Sequence, residues 1–160
     1  MKKRNVFFVL IFGVLLTMVM CKKDEDVTPP YVGEWVSDQF DMEGILAKMD
    51  FVFTESNFTS EISTSVQGIQ IGVLGIKGDI AEKSNQVLET SITDLGLPNA
   101  QGGYDYKNRD ADAAEFQGIY TQMGLGAMIP EDFDAQYEVN GDDLDFIIPA
   151  VQDTIHLHKK

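Results

Sequence analysis

Residues 135–148 read Ala-Gln-Tyr-Glu-Val-Asn-Gly-Asp-Asp-Leu-Asp-Phe-Ile-Ile. Apolar and polar residues alternate on both sides of Asn140-Gly141. A period of two puts every second side chain on the same face of a strand. Asn-Gly supplies the positive φ angles that a two-residue hairpin turn requires. Tyr137 and Val139 then face Leu144, Phe146 and Ile148 across the pair. The stretch predicts a β-hairpin with one apolar face, in which Asn140 and Gly141 are structural residues.

The same period extends outward from this hairpin. Tyr31 to Ser37 alternates around Trp35, and Met49 to Glu55 carries Phe51 and Phe53 on one face. After a turn at Ser56-Asn57, Phe58 to Ser63 returns with Phe58 and Ile62. Ile69 to Ala81 carries Ile69, Ile71 and Val73, then Ile76, Gly78 and Ile80. That phase shift near Leu74-Gly75 predicts a bulge. Lys83-Ser84-Asn85 is the next turn, Gln86 to Thr93 the next strand, and Asp153 to His158 the last. Turn signals at this spacing predict a mainly-β fold: an antiparallel meander of about eight strands. Eight strands close a barrel with room for side chains or one small ligand. Phe51, Phe53, Phe58, Ile62 and Ile71 are candidates for its interior, with Val73, Leu88, Ile92, Phe146 and Ile148.

Residues 95–132 break the pattern. Gly96, Pro98, Gly102 and Gly103 predict an irregular loop. Asp110 to Met123 then has helical spacing in Ala113, Phe116, Ile119 or Tyr120, and Met123. Asp110 is placed to cap this helix, with Asp112 and Glu115 near its positive end. An apolar stripe in an insertion must cover something. It either closes one barrel mouth, making Phe116, Ile119 and Met123 lid residues, or packs outside against the wall.

The N-terminus has three zones. Lys2, Lys3 and Arg4 open the chain, Val6 to Met20 is apolar apart from Thr17, and Cys21 precedes the polar run Lys22-Lys-Asp-Glu-Asp26. This describes an export signal over residues 1–20, in a run short for a permanent span. Cys21 is the only cysteine, so no intramolecular disulfide forms. Its place at the end of Thr17-Met-Val-Met-Cys21 resembles a lipobox, with Met20 where Gly, Ala or Ser is usual. Lipidation of Cys21 would leave residues 21–30, charged and ending in Pro29-Pro30, as a solvated tether. A single domain follows over residues 31–160. Removing residues 1–20 takes away three positive charges and no negative ones, so the formal charge becomes −17 instead of −14. Such a charge repels nucleic acid.

The order of these motifs resembles a known family. A Cys21-Lys-Lys-Asp-Glu25 tether leads to Gly33-Glu-Trp35, then Phe51-Val-Phe-Thr54 and Phe58-Thr59, and finally Tyr137-Glu-Val-Asn-Gly-Asp-Asp-Leu144. This is similar to the lipocalin-like lipoproteins of Bacteroidetes, over residues 31–94 and 134–158. The resemblance implies a lipocalin-like barrel, with Trp35 packing structurally at its closed end. It carries no catalytic residue and no agreed ligand. Lys23-Asp24-Glu25 also resembles the surface-export signal of such lipoproteins. The implied location is the outer membrane, at the cell surface or on the periplasmic face.

Chemistry-bearing constellations are sparse. His156 and His158, two apart, share one face of the last strand. They are weak metal candidates, since zinc needs a further ligand such as Asp143 or Asp145. The alternative is a polar outer face. Two oxygen-rich runs, at Asn140–Asp145 and Asp105–Asp112, lack EF-hand spacing. No Gly-x-Ser-x-Gly, His-Glu-x-x-His or phosphate-binding glycine loop is present. No cofactor is implied. The expected function is a membrane-anchored, non-enzymatic binding protein for a small apolar or amphipathic ligand. The alternative is a structural or interaction lipoprotein with a filled barrel. Replacing Cys21 by Ser should abolish fatty-acid labelling and release the protein from the membrane fraction. Persistent labelling of that variant would overturn the lipidation reading.

Overall fold

The computed structural model describes residues 28–42, 45–125 and 130–160. The expected export signal, Cys21 and most of the tether lie outside the described residues, as do residues 126–129 of the insertion. Among the described residues, ten strands and one helix follow in order. The strands are β1 (Gly33–Ser37), β2 (Phe40–Met42), β3 (Ile45–Phe53), β4 (Asn57–Val66) and β5 (Ile69–Ser84). Then come β6 (Val87–Pro98), β7 (Tyr104–Asn108), helix α1 (Ala113–Gln122), β8 (Asp132–Asn140), β9 (Asp143–Ile148) and β10 (Asp153–Lys159).

Eight of the strands close an antiparallel barrel. The order is β1-β10-β9-β8-β6-β5-β4-β3, and β3 pairs back onto β1. β1 achieves closure by pairing on both edges: Trp35 stands opposite Lys159 of β10 and opposite Phe51 of β3. β2 continues along β3 alone, with Phe40 opposite Ala47. Alternation sends Phe58, Ser60 and Ile62 of β4 inward and Glu61 outward, as the burial along the strand records.

Trp35 and Tyr31 anchor a buried aromatic cluster. Trp35 is fully buried and donates from Nε1 to the Tyr31 carbonyl oxygen at 2.8 Å. Tyr31 packs edge-on against Tyr137, with centroids 5.0 Å apart, and against Phe53 at 6.3 Å. A buried indole N–H needs such a partner.

The structure moves several expected boundaries. The hairpin turn comprises Gly141 and Asp142, because Asn140 is the last residue of β8 and pairs with Asp143. Only Gly141 there takes a positive φ, of 68°. The bulge in β5 falls at Val73: Ile62 opposes Leu74, whereas Ser63 opposes Gly72. The expected irregular loop is mostly strand. β6 runs through Gly96 and Pro98, and β7 pairs with it from Asp94 to Pro98. β7 thus flanks the upper half of β6, where β8, paired only from Val87 to Ser91, does not reach.

Gly78 marks the tightest point of the wall. A Cβ there would lie 2.3 Å from the Phe58 ring and 2.3 Å from the backbone oxygen of Ser91. Gly118, exposed on α1, has open space around its Cβ position. Gly78→Ala should therefore cost about 1–3 kcal/mol by overpacking. Gly118→Ala should stabilise by about 0.5–1 kcal/mol through reduced backbone entropy. Urea unfolding of both variants checks the sign and the contrast.

Candidate functional site

The inward faces of the strands meet around a small cavity of about 40 Å³. Phe51 and Phe53 line it with Phe58 and Ile62 from β3 and β4; Ile92, Phe146 and Ile148 line it from β6 and β9. Leu88 is fully buried in the core without lining the cavity. Two interior candidates are corrected. Ile71 is 47% exposed, and Val73 is only half-buried, at the bulge. Before Gly75, residues Ile69 to Leu74 of β5 pair with β4 alone, so this part of the strand outruns the barrel wall.

Sequence reasoning missed Met49, Ser60, Ile76, Phe133 and Ile155 in the cavity wall. Alternation in β4 would have found Ser60, had its polarity not hidden it. Ser60 is 1% exposed, and its hydroxyl meets no hydrogen-bond partner. An unpartnered buried hydroxyl costs about 1–3 kcal/mol. The remaining wall is apolar, and its phenyl rings are in contact. Phe51 stacks on Phe53 with centroids 5.5 Å apart, and Phe53 lies 5.5 Å from Phe146. A cavity holds a water above roughly 10–15 Å³, whereas sites for drug-sized ligands span roughly 300–1,000 Å³. In this conformation the barrel is nearly filled.

Helix α1 packs on the wall beside this core, and none of its residues lines the cavity. It packs against β6 and β7, and Phe116, Ile119 and Tyr120 join one continuous cluster with the barrel interior. Phe116 is fully buried, Ile119 is 8% exposed, and Met123 packs at the cluster edge. Asp110 does not cap the helix. The N-cap position is Asp112, which makes no side-chain capping bond. The preceding turn is organised by Asn108, whose side-chain oxygen accepts from the backbone N–H groups of Asp110 and Ala111. The carboxylate of Asp112 accepts from the N–H of Asn108. The Asp112 carboxylate is thus engaged in the turn rather than in capping the helix.

An ionic clasp fastens the helical segment. Arg109 Nη1 reaches Asp132 Oδ1 at 2.8 Å, and Nη2 donates to Ser91 Oγ at 3.0 Å. The bond from Arg109, then that from Ser91, holds the Asp132 carboxyl below its usual pKa. Arg109 follows β7, Ser91 lies on β6 and Asp132 opens β8, so three elements are tied at one point.

The outer face of β9 and β10 carries the histidines. His156 Nδ1 is 2.6 Å from Asp145 and His158 Nδ1 is 2.7 Å from Asp143, each directly across the strand pair. The bond to Asp143 raises the His158 pKa. The two rings thus face separate carboxylates. Among the described residues, no group of three or more His, Cys, Asp or Glu is placed to hold a metal ion.

Comparison with protein-family models, with curated proteins and with solved structures returns no match. The fold therefore defines the class, a closed eight-strand antiparallel barrel with a single helix among the described residues.

The clasp generates a test. A carboxyl whose folded pKa is depressed contributes stability above its unfolded pKa, and this is lost as pH falls through the folded value. Arg109→Gln should lower amide-exchange protection of Ala113–Gln122 by about two- to fivefold, the range of a largely solvent-screened pair. Protection in the Ala135–Ile148 hairpin should hold. In the parent protein the same selective loosening should appear as pH drops through the lowered Asp132 pKa. Uniform loss of protection would refute a local clasp.

Proposed function

We propose that this is a membrane-anchored, lipocalin-like binding protein that holds a small apolar or amphipathic molecule in its barrel. The observation that carries this reading is the cavity wall: phenyl and aliphatic side chains around one unpartnered hydroxyl, Ser60 Oγ. Such a wall suits an apolar body with one polar group. Cys21 supplies the anchor to the outer membrane, and the charged residues after it serve as the tether.

Size limits what the closed state accepts. About 40 Å³ admits only a few atoms, so a larger ligand requires the phenyl cluster to move, and on this reading α1, which shares the core cluster, moves with it. Exposing Phe116 and Ile119 costs about 1.5–3 kcal/mol for each side chain. The open state is then populated at about 10⁻² to 10⁻⁴ or below, and the apparent affinity falls by that fraction. This favours a slow, tightly retained ligand over a rapidly exchanging one. The same small volume supports a second reading, a filled barrel that acts through its outer surface in the cell envelope.

Native mass spectrometry and an apolar fluorescent probe separate the two readings. The first requires bound mass or saturable probe binding that Phe53→Trp, filling the cavity, abolishes. An apo mass with no probe binding, in protein whose hairpin amides remain protected, establishes the filled barrel instead.

A further inference from the structure

On the outer face of the sheet, away from the interior cavity, the structure has a second and larger concavity of about 380 Å³. Gly72 of β5 lines it together with Glu61 and Ser63 of β4, Asp50 of β3 and Tyr104 of β7. Next to it, Gly75 stands opposite Gly96, and Gly96 opposite Tyr106, which leaves the outer face of β5 and β6 low there. The rings of Tyr104 and Tyr106 lie over these glycines from β7, and Tyr104 forms one side of the concavity. A Cβ on Gly72 would come within 2.6 Å of the Tyr104 hydroxyl, and one on Gly75 within 2.6 Å of the Tyr106 hydroxyl. The rings reach toward Glu61 and Asp50, which oppose each other on β4 and β3. The far wall is the 98–103 connection, folded about the Asn99 side chain, which accepts from the N–H groups of Gln101 and Gly103.

The polar groups facing this space differ in their state. Asp50 is matched, with Lys160 Nζ at 2.6 Å and Lys48 Nζ at 3.6 Å. Glu61 has no ion-pair partner among the described residues, although its charge helps to raise the pKa values of both tyrosines, behind the larger effect of burial. The nearest lysine on β5, Lys77, is engaged elsewhere, 3.7 Å above the Tyr106 ring. Ser63 is independent of the acids. It is only 9% exposed, lines the groove, and its hydroxyl meets no hydrogen-bond partner. A buried hydroxyl without a partner at the edge of a polar groove is a recognition group awaiting its complement.

We propose that this groove binds a small hydroxylated primary amine, with the ammonium on the Glu61 carboxylate, a hydroxyl on Ser63 Oγ, and the carbon frame against Tyr104. A lone carboxylate accepts from a charged donor, and such a bond is stronger than one between neutral groups. The −14 net charge of the chain draws cations toward it. The volume suits a ligand of monosaccharide size, larger than a metal ion or water.

The test uses glucosamine, with its amine protonated, and glucose as the uncharged control, each titrated into the full-length protein in detergent and followed by NMR. Glucosamine should shift the amides of Glu61, Ser63 and Tyr104 saturably, and glucose should bind at least about tenfold more weakly, as loss of a charged hydrogen bond predicts. Glu61→Gln should weaken glucosamine by a similar factor, and Ser63→Ala by less. Both variants should keep the hairpin amide shifts and any binding of the apolar probe, since Glu61 and Ser63 face away from the interior cavity. Equal binding of glucose, glucosamine shifts elsewhere, no shift at millimolar concentration, or full affinity in Glu61→Gln would each overturn the proposal.

Discussion

The barrel depends on one short strand having two partners. β1 has five residues, and Trp35 at its centre pairs across to Lys159 on one side and Phe51 on the other. If either pairing were lost the sheet would be open, with β1 as one edge. A closed sheet removes edges altogether, but it also fixes the radius. Eight strands leave an interior only as wide as the side chains pointing into it. Each phenyl ring added to the inner face is then taken directly from ligand space. Phe51, Phe53, Phe58, Phe133 and Phe146 all point there, and about 40 Å³ remains.

Closure also explains which sequence signals could be read. The strands of the closed wall alternate cleanly, because one face is dry and the other wet, so seven of the ten interior candidates line the cavity. Ile71 obeyed the same alternation and still failed. It lies where β5 has lost β6 as a neighbour, and alternation cannot report where a barrel stops. The apolar residues left beyond that point, Ile45, Val66 and Ile69, are about half exposed or more.

The 95–132 segment was misread for a related reason. Gly96 and Pro98 are poor strand residues by propensity, so they suggested a loop. In the structure the missing side chains of Gly75 and Gly96 are the space into which Tyr104 and Tyr106 fit. That complementarity joins residues more than twenty positions apart, and no local pattern reveals it. The helix was legible because its stripe of Phe116, Ile119 and Tyr120 is local; its start was not, because Asn108 rather than Asp110 shapes the turn before it.

Strand β4 brings these threads together. Its even-numbered residues from Phe58 to Ile62 face the interior cavity, and its odd-numbered residues Glu61 and Ser63 face the outer groove. Two chemically opposite surfaces are therefore written on alternate positions of one strand. The inner set is apolar apart from Ser60, and the outer set is polar. Substitutions on one face leave the other face's chemistry unchanged, yet the backbone is shared. A ligand that straightened or bent β4 from one side would be felt on the other through the bulge at Val73, the point at which the β4–β5 register already yields.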